Sequence, residues 1–96
     1  MYEAELYRLR GELLLQQSAA QQGEAEESFH QALAVARRQQ ARSWELRTAM
    51  SLARLWQQQG KSAAARELLA EVYGWFTEGF DTADLQEART LLAALS

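Results

Sequence analysis

The only imidazole in the chain is His30, and no cysteine accompanies it. Acid–base or metal chemistry at that ring needs partners held at set distances. The nearest acids, Glu24, Glu26 and Glu27, crowd what reads as the first turn of a helix, where negative charge complements the positive end of the dipole. They read as electrostatic capping, and His30 as a surface residue beside an apolar stripe. No Gly-rich loop closes on Lys-Ser/Thr to cradle a phosphate, and no paired carboxylates suit two-metal chemistry. The expectation is a non-enzyme with no catalytic residue, no cofactor and no metal.

Arginines gather at Arg37, Arg38, Arg42, Arg47 and Arg54, but the whole chain carries a net charge of -3 and a pI near 5.1. Modules that hold nucleic acid usually carry a basic surplus, so no nucleic-acid partner is expected. Arg37 and Arg38 fit the last turn of a helix, where cations oppose the dipole. Of the three tryptophans, Trp56 is expected in the core; Trp44 and Trp75 sit near helix ends, where partial exposure is common, and for them too the core reading leads over that of aromatic anchors for a ligand. No apolar run approaches the ~20 residues of a membrane span, and no signal peptide is legible at the N-terminus. With no cysteine to oxidise, a reducing, cytoplasmic setting is the natural expectation.

The elements that must position these residues are helices throughout. At 96 residues without proline, the chain is one domain rich in helix formers, and a domain of this size buries roughly two-thirds of the surface its unfolded chain exposes. A first helix is predicted from about Tyr2 to Gln17, with Leu6, Leu9 and Leu13 on one stripe and Tyr7, Gly11 and Leu14 on another. Two apolar stripes call for neighbours on both sides. A polar loop follows from Ser18 to Gly23. The second helix buries Ala25, Phe29, Ala32, Leu33 and Ala36 on one face.

Nothing punctuates the chain after Ala36, yet a continuous helix would bury Gln40, Ser43 and Arg47 on the same stripe. A break near Gln40 to Ser43 follows, with Ser43 as N-cap. The third helix spans about Trp44 to Gln59 and stops at Gly60 in a left-handed conformation. Ser62 caps a fourth helix carrying Ala65, Leu68, Leu69, Val72, Tyr73 and Phe76. After a turn at Gly79, Phe80 and Asp81, a fifth helix is capped by Asp81 or Thr82 and turns Leu85, Ala88, Leu92 and Leu95 inward. The order is a hairpin over about 2–40, a hairpin over about 43–76 and a terminal helix over about 82–95.

A small-residue pattern appears twice. Tyr7-x-x-Arg10-Gly11-x-x-Leu14 followed by Ala25-x-x-x-Phe29-x-x-Ala32 is echoed by Ala49-x-x-Leu52-Ala53-x-x-Trp56 followed by Ala65-x-x-x-Leu69-x-x-Val72. Such an echo marks stacked helical hairpins. The pattern resembles the tetratricopeptide repeat, with W-x2-L-G-x2-Y on the first helix of each pair and A-x3-F on the second. Its period of 40 to 42 residues exceeds the usual 34 of that repeat, and the closing proline is missing. The resemblance implies an all-α, right-handed superhelix of two hairpins and a closing helix.

The segments AELYRLRGELLL (Ala4 to Leu15), SWELRTAMSLARLWQQQGK (Ser43 to Lys61) and VYGWFTEGFDTADLQEARTLL (Val72 to Leu92) resemble a more specific family. They look like the C-terminal tail of bacterial signalling proteins in which an adenylate/guanylate cyclase domain and an AAA-type ATPase precede a long tetratricopeptide-like array. What that resemblance implies is a regulatory tail whose catalytic residues lie elsewhere; Met1 is then not the family's own beginning, since the family continues upstream.

Tetratricopeptide arrays bind partners on the concave face of their first helices. Carried onto this chain, that face offers Glu5, Arg8, Glu12 and Gln16, and then Arg47, Met50, Arg54, Gln57 and Gln58. Its mixed polar character with an arginine ridge suits an extended peptide bearing acidic or amide side chains; a merely solvated face is the equal alternative. A second function class is self-association. The stripe of Leu6, Leu9 and Leu13 predicts a homodimer through the first helix, a two-fold pair that removes an apolar patch from water.

Overall fold

The computed structural model describes residues 2–17, 19–74 and 83–95. These form an all-α fold of five helices: α1 (Tyr2–Gln17), α2 (Gln22–Arg38), α3 (Arg42–Gln58), α4 (Ser62–Tyr73) and α5 (Ala83–Leu95). The expected positions Trp75, Phe76, Gly79, Phe80, Asp81 and Thr82 lie outside the described residues, as does Ser18. The α1–α2 connection is tighter than the loop read from sequence. Ala19–Gln21 wind into a single 3-10 turn, and Gly23 already lies inside α2. Helix-forming Ala and Gln allow the chain to stay wound there.

Helices α1 and α2 form one hairpin and α3 and α4 a second, and α5 packs on both helices of the second. Helix α3 touches all four others. The result is two layers, with α1, α3 and α5 side by side and α2 and α4 behind them. The stripe predicted on α2 is buried: Ala25, Phe29, Ala32 and Ala36 are fully enclosed and Leu33 nearly so. Its Ala25, Phe29 and Leu33 join Leu46, Ala49, Leu52, Ala53 and Leu55 of α3, Ala65, Leu69 and Val72 of α4, and Leu85, Ala88, Leu91 and Leu95 of α5. A smaller cluster of Ala4, Val35 and Ala36, with Tyr7 and Trp44 against it, closes one end.

The break between hairpins falls at Gln39–Ala41, where Gln40 has φ +54°. Its N–H donates to the Arg37 carbonyl at 3.2 Å and the Ala41 N–H to the Ala36 carbonyl at 2.8 Å. Twenty residues on, Gly60 with φ +81° repeats the device, with its N–H on Gln57 O at 3.1 Å and Lys61 N–H on Trp56 O at 2.8 Å. Both are Schellman turns, which satisfy the last helical carbonyls through a left-handed residue.

These turns correct the two expected serine caps. Helix α3 begins after Ala41 and α4 after Lys61, neither start closed by a side-chain hydrogen bond, so Ser43 and Ser62 already lie within helices. The residue that ends each Schellman turn also starts the next helix: Ala41 O accepts from Glu45 N at 3.0 Å and Lys61 O from Ala65 N at 3.1 Å. The chain therefore enters the new helix before the serine is reached.

Candidate functional site

The three front helices run in the same direction. Near its start α1 sets Arg8 against Ser51 of α3, with Nη1 to Oγ at 3.5 Å; near its end Glu12, Leu15 and Gln16 border a groove completed by Ser51, Arg54, Leu55 and Gln58. On the other side of α3, Arg47 Nε meets Asp84 Oδ2 at 3.0 Å, and Arg54 Nη2 meets Glu87 Oε2 at 3.0 Å. Ala83, Gln86, Thr90, Leu91 and Ala94 line a second groove there, again with Arg54 and Glu87. The grooves hold about 280 and 490 Å³. Arg54 is the wall they share.

Of the residues expected on this face, Glu12, Gln16, Arg54 and Gln58 come together around the first groove. Glu5 and Arg8 are committed to each other. The guanidinium donates from Nε and Nη2 to the two carboxylate oxygens at 2.7 and 2.8 Å, a bidentate clasp one helical turn long. That hydrogen bonding holds the Glu5 carboxyl below its ordinary range, against the opposing effect of burial, and raises Arg8. Gln57 is exposed but borders neither groove. Met50 requires correction: it is 3% exposed and belongs to the core. It sits about 100° around α3 from Ser51, on the flank that packs inward.

The arginine ridge also differs from its sequence reading. Arg47 and Arg54 are matched by acids of α5, and Arg47 further lies over the Trp44 ring, 4.9 Å from its centroid. Asp84 and Glu87 could not be assigned from sequence, because their partners lie more than thirty residues away. The face is thus a series of ion pairs interspersed with glutamines. A partner meets amide groups and half-exposed salt bridges, which hydrogen-bond without a strong net field.

Behind this face lies an acid that sequence reasoning passed over. Glu45 is 1% exposed and accepts from Arg37 Nε at 2.8 Å, with Arg42 Nη1 at 3.9 Å. Arg37 also reaches Glu71 of α4 at 3.5 Å. Arg37, placed in the last turn of α2 as expected, therefore ties both hairpins together. The signal for this was the position of Glu45 on the apolar stripe of α3, one turn before Ala49.

The remaining candidates are peripheral. His30 is half-exposed, 3.6 Å from Glu26 and tilted against Trp56 with ring centroids 6.0 Å apart. Trp56 packs against the main core and Trp44 against the smaller one; Trp75 lies outside the described residues. Among the described residues no group of three or more His, Asp or Glu is arranged to hold a metal, and no helix is long and apolar enough to cross a membrane. Leu6, Leu9 and Leu13 stand 63%, 45% and 57% exposed, an open stripe on α1. Comparison with protein-family models, with curated proteins and with solved structures returns no match.

Proposed function

We propose that this chain is a non-catalytic protein-interaction scaffold, the tetratricopeptide-like regulatory end of a longer cytoplasmic signalling protein that carries a nucleotide cyclase and an ATPase. The observation that carries the binding part of this reading is the pair of adjoining grooves on the α1–α3–α5 face, joined at Arg54. The first groove, between two parallel helices and bordered by Gln16, Gln58 and Arg54, suits an extended peptide that hydrogen-bonds through backbone and amide groups, and the second adds small and apolar side chains of α5 beside it. The attachment to a cyclase and ATPase rests on sequence resemblance alone.

The test places the change where it does not loosen the fold. Arg47 and Arg54 clamp α5, so reversing them would disturb packing as well as binding. Gln16→Trp with Gln58→Trp instead fills the first groove from its two walls. In the longer protein, that double substitution is expected to alter partner capture or nucleotide turnover. An unchanged pull-down profile together with unchanged turnover contradicts the reading.

The exposure of Leu6, Leu9 and Leu13 favours a second reading, self-association of the chain through α1 with no separate ligand. Sedimentation of the isolated chain distinguishes it: a dimer dispersed by serine at the three leucines supports this reading, and a monomer at high micromolar concentration counts against it.

A further inference from the structure

The open stripe on α1 occupies the same helical positions that α3 uses to dock on the first hairpin. The sequence echo that equates Gly11 with Ala53 also equates Glu3, Leu6, Leu9, Leu13 and Gln17 with Glu45, Thr48, Ser51, Leu55 and Gln59. Three of the five are identical in type. On α3, Glu45, Thr48, Ser51 and Leu55 are each no more than 3% exposed, and the stripe faces the preceding hairpin: Glu45 pairs with Arg37, Ser51 meets Arg8, and Gln59 Nε2 donates to Gln22 Oε1 at 3.2 Å. On α1 alone the stripe is open, and it carries leucine at three positions.

We infer that Glu3, Leu6, Leu9 and Leu13 form the docking edge for a further helical hairpin of this chain's own kind, whose second helix ends in an arginine that pairs with Glu3 as Arg37 pairs with Glu45. This rests on the reading of the chain as the end of a longer array. The occupant is argued from the interface already present between α3 and the first hairpin, which uses the same positions, and from charge: Glu3 stands where the buried Glu45 receives a guanidinium. The other edge of the chain does not offer a match, because α5 turns Gln86, Arg89, Thr90 and Ala93 to solvent. A head-to-tail second copy would therefore set leucines on a polar surface.

The test adds the hairpin. Residues 1–42 are placed ahead of the full 96-residue chain, so that Ala41 of the added hairpin precedes the second Glu3 by four residues, the separation of Ala41 from Glu45. Because the chain contains no cysteine, Leu9→Cys in the second copy reports burial through its reaction with a thiol reagent. The tandem chain is expected to slow that reaction at least tenfold relative to the single chain and to raise Tm by about 5 °C or more. Glu3→Gln in the second copy is expected to remove part of the rise; a rise indifferent to it overturns the assignment of Glu3. Equal thiol reactivity in tandem and single chains overturns the docking edge. A single chain that already dimerises below about 10 µM through the leucines overturns it in favour of a second copy, and leaves the groove-filling test of the binding face standing on its own.

Discussion

The Phe29 ring occupies the space that a side chain on Gly11 would need: a Cβ at Gly11 would stand 2.6 Å from Phe29 Cε1 and 2.9 Å from its neighbours on the ring. Phe29 is fully buried, so the ring cannot swing aside, and α1 and α2 meet at this contact. Gly11→Ala therefore sets two effects against each other. Alanine favours a helix over glycine by about 1 kcal/mol, and overpacking a filled core costs about 1–3 kcal/mol. The clash is with ring carbon on an enclosed side chain, which places the cost in the upper part of that range, so destabilisation is expected to win by up to about 2 kcal/mol. A lower urea midpoint with an unchanged slope checks it, and a higher midpoint contradicts the packing.

Gln40 pays a backbone penalty that Gly60 does not. Both close Schellman turns, but only glycine adopts positive φ without a Cβ clash. Gln40→Gly is expected to stabilise the chain by about 0.5–1 kcal/mol, after allowance for the extra freedom of glycine in the unfolded chain. Gly60→Ala should destabilise it by about 1 kcal/mol. Thermal melts of the two variants should move in opposite directions.

The helices themselves were legible in the sequence because their apolar residues keep helical phase. Gly11 and Phe29 announced a close hairpin, and Gly60 announced a left-handed turn. The equivalent turn at Gln40 was placed only by phase, since glutamine gives no sign of positive φ. Its partners explain why: the turn is fixed by backbone hydrogen bonds, which are independent of side-chain type. Burial of Met50 was hidden for a different reason. It reads by its flank of α3 in isolation, whereas all four other helices pack around α3; Glu45 carried its sign in its place on the apolar stripe. Likewise Asp84 and Glu87 became part of the candidate face only through tertiary approach to Arg47 and Arg54.

Arg37 and Glu45 should be energetically coupled. Removing the guanidinium by Arg37→Met leaves a carboxylate that is 1% exposed with Arg42 at 3.9 Å as its remaining cation. A loss of about 2 kcal/mol is expected, because stranding a buried charge costs more than breaking a solvated pair. A double-mutant cycle with Glu45→Gln measures the coupling, and strictly additive losses would show that the pair contributes nothing specific.

The Glu5–Arg8 clasp predicts an acid limb in stability. The Glu5 carboxyl is held low in the folded state, chiefly by its hydrogen bonds from Arg8, so the folded protein binds that proton less readily than the unfolded chain. Its contribution is present above about pH 4.5, the ordinary carboxylate value, and is lost as the pH falls through the depressed folded value. Arg8 is raised, so its contribution is lost only in strong alkali. Glu5→Gln is expected to lower Tm at pH 7, where the contribution is fully present, and to flatten the fall below pH 4.5, so that the two proteins converge in acid. An acid limb of unchanged steepness would assign it to other carboxylates.

The central claim is that the α1–α3–α5 face binds extended peptide, and the groove walled by Gln16, Arg54 and Gln58 offers the most direct measurement. Peptides enriched on the chain from a random library are labelled and titrated by fluorescence anisotropy. The expected result is a Kd of order 10–100 µM, since a shallow, polar groove leaves little surplus after the peptide is ordered. Gln16→Trp with Gln58→Trp should weaken it at least tenfold at unchanged Tm. Failure to enrich any peptide, or binding indifferent to that double substitution, would contradict a peptide-binding role for this face.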